Sequence, residues 1–208
     1  MNRLYKVLLI FPILISGCKT NNLNTENISQ RFNSLNMNIY SNKGDKLYSV
    51  KSPYSSYDNQ TQIFDLKETT IYLFKNNKPE YIIRSDKSKL ANTNKTINLN
   101  GNVYIKRLND EDSILNADNF VWNYKNSEYL LTGNVKLENN KIILSSNKAI
   151  LNNGEDIIEF FNPVKYIIKN TNDINKYEIN SENAFYNINT KSVNFTSGEK
   201  RVRSKLYL

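Results

Sequence analysis

Histidine is absent from the 208 residues, and cysteine occurs once, at Cys18. The absence of histidine removes the commonest general base and metal ligand. One cysteine cannot form a disulfide within the chain, so packing alone must hold the fold. Acidic neighbours such as Glu111-Asp112 and Glu155-Asp156 fall in segments that read as turns, where solvated loop charge explains them. We therefore expect no enzyme, no catalytic residue, no cofactor and no metal.

The chain also lacks an apolar run long enough to cross a bilayer as a helix. Two basic residues, Arg3 and Lys6, precede an uncharged stretch that runs from Val7 to Ile15 and contains Pro12. That stretch has about half of the roughly 20 residues that a membrane-spanning helix needs, and a proline in its middle disfavours such a helix further. The order of basic, apolar and small residues is typical of a secretory signal.

The signal ends in the sequence Ile15-Ser16-Gly17-Cys18, which resembles the bacterial lipobox. Small residues suit a peptidase that approaches the backbone closely, and the thiol is the nucleophile that accepts the lipid. We expect residues 1–17 to be a lipoprotein signal peptide and Cys18 to be the lipid attachment site. Buried acyl chains, at about 0.8 kcal/mol per CH₂, would then anchor the protein to a membrane. The alternative is an ordinary secretory signal with an incidental Cys18.

Positive charge exceeds negative charge, with a formal net charge of +8. A basic exported protein could attract anionic lipid headgroups or phosphorylated glycolipid. The lysines are scattered along the chain, however, and a solvated surface explains them as well. No motif of nucleic-acid recognition is present, so nucleic acid is not expected as a partner.

The remaining chain divides into a tether and one β-rich domain. Residues 18–35 are rich in asparagine and lack apolar periodicity, which predicts a flexible tether. Residues 36–208 alternate short segments rich in Ile, Val, Tyr, Phe and Thr with clusters of Asn, Lys, Asp and Gly. Such a texture is typical of consecutive strands and turns, and no helical stripe of useful length occurs. We expect an all-β domain over residues 36–208.

The β-rich domain contains an internal repeat. The segments GNVYIK at 101–106 and GNVKLE at 133–138 are similar, and each follows a small residue by the same spacing. The same spacing defines five units, whose small anchor residues are Ser52, Ser85, Ala117, Ser146 and Ser181. An apolar residue precedes each anchor by two positions, and a large one follows by five, which breaks strict alternation by one residue. A strand that keeps one face inward does this only with a bulge, so we predict a kinked first strand in each unit.

Five units of two strands each form a long antiparallel sheet with one apolar face, which must fold over to cover that face. A hairpin around Lys43-Gly44-Asp45 precedes the units. The last strand, which carries Arg201, Arg203 and Lys205, is poorly patterned and is either an exposed edge or a frayed terminus. Open edges of this kind favour assembly by strand addition.

The hairpin sequence Gly44-x-x-Leu47-Tyr48-x-Val50-x-Ser52, followed by repeats of the type Ala117-Asp118 … Leu131-x-Gly133-Asn134-Val135, resembles the LptC/OstA-like proteins. These are periplasmic components of the lipopolysaccharide-export machinery. The resemblance implies an open antiparallel β-jellyroll, or β-taco, of about five two-strand repeats plus the N-terminal hairpin. It also implies a groove that binds the acyl chains of lipopolysaccharide.

Further expectations follow from the same resemblance. Lipopolysaccharide would be accepted from an inner-membrane ABC transporter and passed toward the outer membrane through a second periplasmic jellyroll protein, docked by edge-strand addition at the C-terminal end. Better-known members have an N-terminal transmembrane helix, whereas this chain resembles a lipoprotein. The expected location is therefore the periplasm, with a lipid anchor in a membrane, the inner membrane being favoured.

Inward-facing positions of the repeat supply the candidate groove. The small anchors would form its floor, and large residues such as Trp122, Tyr186 and Phe160 its walls. The candidate lipid-groove residues are Val50, Ser52, Ile83, Ser85, Leu99, Leu115, Ala117, Trp122, Leu131, Leu144, Ser146, Phe160, Ile179, Ser181 and Tyr186. If these residues instead pack against one another, the chain is a structural envelope lipoprotein with a closed β core. A carbohydrate-binding module is disfavoured, because most patterned aromatic residues fall on the predicted inner face.

Overall fold

The computed structural model describes residues 29–91, 95–109, 113–123, 128–152, 156–169, 177–199 and 201–206. The predicted signal peptide and Cys18 lie outside this part of the chain. None of the described residues belongs to a helix of the length and apolarity that a membrane crossing needs. The described strands are β1 Ser29–Phe32, β2 Leu35–Tyr40, β3 Lys46–Ser52, β4 Tyr54–Asp58, β5 Ile63–Lys75, β6 Lys78–Ala91, β7 Thr96–Arg107, β8 Ile114–Asn123, β9 Glu128–Glu138, β10 Ile142–Asn152, β11 Ile157–Ile168, β12 Tyr177–Asn187, β13 Val193–Thr196 and β14 Arg203–Leu206.

The strands form one 14-stranded sheet in which β4 to β13 follow chain order. Neighbours pair antiparallel, as expected for strands joined by short turns. The predicted opening hairpin is the β2–β3 pair, with Gly44 in its turn at a φ of +86°. Strand β1 pairs with β4, so residues 29–32 are paired although they lie in the segment for which the sequence predicts a tether.

Each long strand is divided by a bend into two parts, and these parts form two halves of the sheet. Sheet half A comprises β2, β3, β14 and residues 69–75, 78–85, 103–107, 114–117, 135–138, 142–146, 164–168 and 177–181 of β5 to β12. Sheet half B comprises β1, β4, β13 and residues 63–67, 87–91, 96–100, 119–123, 128–132, 148–152, 157–161 and 183–187 of the same strands.

The apolar faces of the two sheet halves turn toward each other. The Tyr48 ring in half A contacts the Trp122 ring in half B, with their centroids 4.9 Å apart. Farther along the chain, Tyr166 in half A meets Phe195 in half B at 5.2 Å. Residues of both halves belong to a common hydrophobic cluster. Within the described residues the end strands β1 and β13 do not pair with each other, which confirms the predicted open antiparallel jellyroll.

The predicted kinks are confirmed at the boundary between the two sheet halves. In β6, β8, β10 and β12, the pairing register shifts at or directly after the anchor residue. At the first anchor, Ser52, the chain breaks at Pro53 into two strands, β3 and β4. The second strands bend as well. Gly101-Asn102 in β7 and Gly133-Asn134 in β9 have positive φ at both residues, a conformation that glycine and asparagine tolerate best.

An aspartate of the preceding strand, Asp86 in β6 and Asp118 in β8, contacts each of these glycine–asparagine bends. Asn102 Nδ2 donates to Asp86 Oδ2 at 2.8 Å, and Asn134 Nδ2 donates to Asp118 Oδ2 at 2.8 Å. A Cβ added to Gly133 would lie 2.5 Å from Asp118 Oδ2 and 2.9 Å from its Cβ. The glycine is therefore required for close approach as well as for its backbone conformation.

The anchor serines satisfy backbone carbonyl groups at the bends. The hydroxyl of Ser146 donates to the carbonyl of Lys148, two residues later in the chain, at 2.8 Å. In the same way Ser85 donates to the carbonyl of Lys87 at 3.1 Å, and Ser181 donates to that of Asn183 at 3.0 Å. Ser52 donates to the carbonyls of Tyr54 and Lys67. A bulge leaves such groups outside the regular ladder, and a short hydroxyl restores a partner for them.

The fifth unit differs from the other four, as its weak pattern predicted. Its second strand is divided into β13, which pairs with residues 183–186, and β14, which pairs with residues 177–180. In β14, Ser204 lies opposite Ile179 and Leu206 lies opposite Tyr177. All four β14 residues are nevertheless exposed, so the strand is an edge that covers little of the core.

Candidate functional site

A cavity of about 940 Å³ separates the two sheet halves over part of their length. The half A side of the cavity is formed by β2, β3 and β5 to β9, and the half B side by β8 to β12 and the turns at their ends. Residues lining it are Ile39, Tyr40, Ser41, Asn42, Leu47, Tyr48, Leu73, Phe74, Lys75, Glu80, Tyr81, Ile83, Lys95, Ile105, Arg107, Ser113, Leu115, Phe120, Trp122, Tyr129, Leu131, Leu137, Leu151, Asp156, Ile158, Tyr186, Ile188 and Lys191.

The cavity opens to solvent beside the β2–β3 hairpin. Tyr40 and Leu47 line it, yet 56% of Tyr40 and 44% of Leu47 is exposed. Large apolar side chains that face solvent at the mouth of an apolar cavity are typical of a binding site. The cavity volume also falls within the roughly 300–1,000 Å³ range of ligand sites.

Five of the predicted groove residues lie together on the cavity wall. They are Ile83 and Leu115 from half A and Trp122, Leu131 and Tyr186 from half B. All five are buried, and the aromatic ring of Trp122 also contacts those of Tyr48 and Tyr129. The inward positions of the repeat therefore converge on one cavity, from strands far apart in the chain.

The small anchors, which the sequence predicts as the floor of a lipid groove, are not among the residues that line this cavity. Ser52, Ser85, Ala117, Ser146 and Ser181 lie at the bends between the sheet halves, and four of the five are buried there. Small side chains are needed at this position because the strand changes direction and the two halves approach closely.

The remaining predicted residues belong to a closed part of the core. Val50, Leu99, Leu144 and Phe160 are completely buried but do not line the cavity, and Phe160 is therefore packing rather than cavity wall. Ile179 is half-buried near the edge strand β14. The interior is thus open between the early strands of half A and the later strands of half B, and closed elsewhere in the described core.

Polar and charged residues lie at the rim, where the sequence predicted only scattered surface charge. Arg107 Nη2 contacts Glu80 Oε1 at 2.9 Å, and its Nη1 donates to Asn189 Oδ1 at 3.0 Å. Lys191 Nζ contacts Ser113 Oγ at 3.3 Å. The two hydrogen bonds join half A to the β12–β13 turn of half B across the cavity. Neither residue has a sequence signal beyond its position at a strand end.

Burial raises the pKa of two tyrosines beneath the rim. Burial raises the pKa of Tyr129 to about 12, and the neighbouring Tyr81 adds to the effect. Burial likewise raises the pKa of Tyr81, although the Arg107 guanidinium acts against this. Neither tyrosine is among the groove residues that the sequence predicts. Both rings present apolar surface with a polar tip to the cavity.

Comparison with protein-family models agrees with this architecture. A model described as "Lipopolysaccharide-assembly, LptC-related" matches residues 14–129. The chain belongs to the LptC-related family. A second model, "LptA/(LptD N-terminal domain) LPS transport protein", matches residues 114–203. The LptC-related match therefore covers most of the half A side of the cavity, and the second match covers its later half B strands.

More distant comparisons add little to the family assignment. The crystal structure of LptH, the LptA-homologous periplasmic component of the lipopolysaccharide transport device from Pseudomonas aeruginosa, is similar with a TM-score of 0.46 and 12% identity. The similarity covers 62% of this LptC-related chain and 94% of LptH. No curated protein sequence matches the chain.

Proposed function

We propose that this LptC-related protein binds the acyl chains of lipopolysaccharide in the cavity between its sheet halves. The observation that carries the proposal is the cavity of about 940 Å³, open beside the β2–β3 hairpin and lined with Leu115, Trp122, Leu131 and other apolar residues. Membership of a lipopolysaccharide-assembly family supplies the class of lipid. Apolar walls of this kind gain free energy from covering hydrocarbon, at about 25 cal/mol per Å² removed from water.

The protein passes the lipid on without chemistry. It accepts lipopolysaccharide from an inner-membrane ABC transporter and delivers it toward the outer membrane, because similar apolar cavities in successive proteins make the transfer nearly isoenergetic. A second periplasmic jellyroll docks by strand addition at the C-terminal edge. Strand β14 supports this part of the proposal, since it is short, exposed and paired over only four residues with β12.

A lipid on Cys18 anchors the protein to a membrane, with the inner membrane favoured, and the β-domain lies in the periplasm. Only ten residues separate Cys18 from Ser29, the first residue of β1, so the domain stays close to the membrane surface. Substituting Cys18→Ala should move the protein from the membrane fraction to the soluble fraction of the periplasm. An unchanged membrane fraction of the variant would remove the anchor from the account.

The alternative function, a structural envelope lipoprotein with a closed core, predicts packing throughout like that around Phe160. The cavity beside Trp122 disfavours it, because a purely structural sandwich gains stability by filling such a space.

Site-specific photocrosslinking tests the lipid proposal. A diazirine analogue of leucine at position 131 faces the cavity, whereas the same analogue at 130 faces outward and at 144 lies in the closed core. We expect lipopolysaccharide adducts in cells from position 131 only. Adducts absent at 131 with full expression, or equally abundant at 130, would contradict binding in the cavity.

A further inference from the structure

Positive charge exceeds negative charge on the lining of the cavity. The described lining residues include four basic side chains, Lys75, Lys95, Arg107 and Lys191, against two acidic ones, Glu80 and Asp156. We propose that Arg107 and Lys191 form a subsite for a phosphate group on the head of the lipid whose chains occupy the cavity. This inference rests on the proposed function and adds a headgroup preference to it.

Arg107 is the fixed part of the subsite. It is the last residue of β7, and its two terminal nitrogens are held by Glu80 at 2.9 Å and Asn189 at 3.0 Å. Its Nε is buried and makes no hydrogen bond. A buried donor without an acceptor is costly, and a phosphate oxygen is an acceptor that arginine binds well. The guanidinium is therefore oriented in advance, with its buried Nε–H still without an acceptor.

Lys191 adds a second cation beside Arg107. It lies in the turn before β13, and its Nζ contacts Ser113 Oγ from the opposite sheet half at 3.3 Å. Burial and the nearby Arg107 lower the pKa of Lys191, as expected where two positive charges repel each other. A phosphate group with a charge near −2 would offset this repulsion, because opposite charge favours the protonated amine.

The surface below the two cations suits the apolar part of the same molecule. The Tyr81 ring lies 5.9 Å from the Arg107 guanidinium carbon, and Tyr129, Trp122 and Leu131 line the same cavity. The Tyr129 phenol is uncharged at neutral pH, as an ordinary tyrosine is, so it does not repel an anion. Arg107, paired with Glu80, and Lys191 thus lie at one rim, and Asp156 lines the same cavity. The cavity is charged and polar at this rim and apolar within, the arrangement that a charged amphiphile requires.

Photocrosslinking of the full-length protein in micelles of an uncharged detergent tests the subsite. The diazirine analogue at position 131 reports capture of two probes, lipid A that carries its phosphates and the same lipid A without them. We expect the phosphorylated probe to give a yield about tenfold higher, the size of one or two charge-assisted hydrogen bonds. In Lys191→Gln and Arg107→Gln the ratio should fall to about two or three. Lys89→Gln removes an equal charge from an exposed outer-face pair with Asp65 and should keep the wild-type ratio.

The possible results separate the two proposals. Equal yields from both probes in the wild type, or a ratio unchanged by Lys191→Gln, would overturn the subsite while leaving the cavity as a lipid site. Lys191 is exposed in a turn, so this variant should fold even if Arg107→Gln does not.

No adduct with either probe would contradict the proposed function itself. Millimolar inorganic phosphate should leave the ratio unchanged, and a collapse of the ratio would assign the site to free phosphate instead of a lipid headgroup.

Discussion

At the scale of single residues, the bends depend on glycines that no other residue replaces easily. Gly133 has a φ of +75°, and the space where its Cβ would be is occupied by Asp118. Gly44, in the β2–β3 turn, has a similar φ of +86° but nothing within 4 Å of the same position. The two glycines therefore separate the cost of backbone conformation from the cost of close packing.

We expect Gly133→Ala to lower the free energy of unfolding by about 1–2 kcal/mol more than Gly44→Ala does. Both variants carry the cost of alanine in the left-handed region, but only Gly133→Ala must displace Asp118 from Asn134. Denaturant unfolding of the full-length variants measures the difference. In an Asp118→Ala background the difference should shrink, because the carboxylate is gone, but part of it should remain, because the Cβ at position 118 stays 2.9 Å away. Equal losses for the two glycine variants would show that Asp118 does not obstruct the bend.

The sequence predicts residues of the cavity wall but not those of the cavity rim. The repeat assigned Trp122, Leu131 and Tyr186 to the inner face correctly, since side-chain direction in a strand has period two. Arg107 and Lys191 fall outside the repeated positions, in or beside turns, and the sequence treats them as ordinary surface charge. Only the folding of one sheet half over the other brings them to the same cavity.

At the scale of strands, the bend is the element that repeats most faithfully. A break in alternation of one residue was enough to predict the bulges, because an apolar face can stay inward only if the strand is re-aimed. The role of the anchors was not predictable in the same way. A buried serine is consistent both with room for a ligand and with a hydroxyl that satisfies the backbone, and the structure shows the second for Ser85, Ser146 and Ser181.

The anchors of the third and fourth units, Ala117 and Ser146, provide a matched test of this role. Ser146→Ala removes a hydroxyl that donates to the Lys148 carbonyl at 2.8 Å, and should lower the free energy of unfolding by about 0.5–1.5 kcal/mol. Ala117→Ser places a hydroxyl at the equivalent bend of β8 and should cause no loss. Thermal and denaturant unfolding measure both changes. A Ser146→Ala variant as stable as the wild type, or a strongly destabilised Ala117→Ser variant, would contradict the assigned role.

At the scale of the whole molecule, the sequence predicts a folded-over antiparallel sheet but not where it stays open. Trp122 and Phe160 occupy inward positions of the same repeat, yet Trp122 lines the cavity and Phe160 is in closed core. The difference arises from the separation of the two sheet halves, which depends on many side chains at once and on the twist of the sheet. Strand patterning carries no information about that separation.

The central claim is that hydrocarbon chains enter this cavity, and Trp122 allows it to be tested directly. It is the only tryptophan in the chain and it lines the cavity wall. Lipid A with brominated acyl chains quenches tryptophan fluorescence only at close contact, so it reports occupation of this site. With full-length protein in micelles of an uncharged detergent, we predict saturable quenching that unbrominated lipid A reverses by competition. Trp122 emission that stays unchanged while lipid A binds the protein, or quenching that never saturates, would contradict the account.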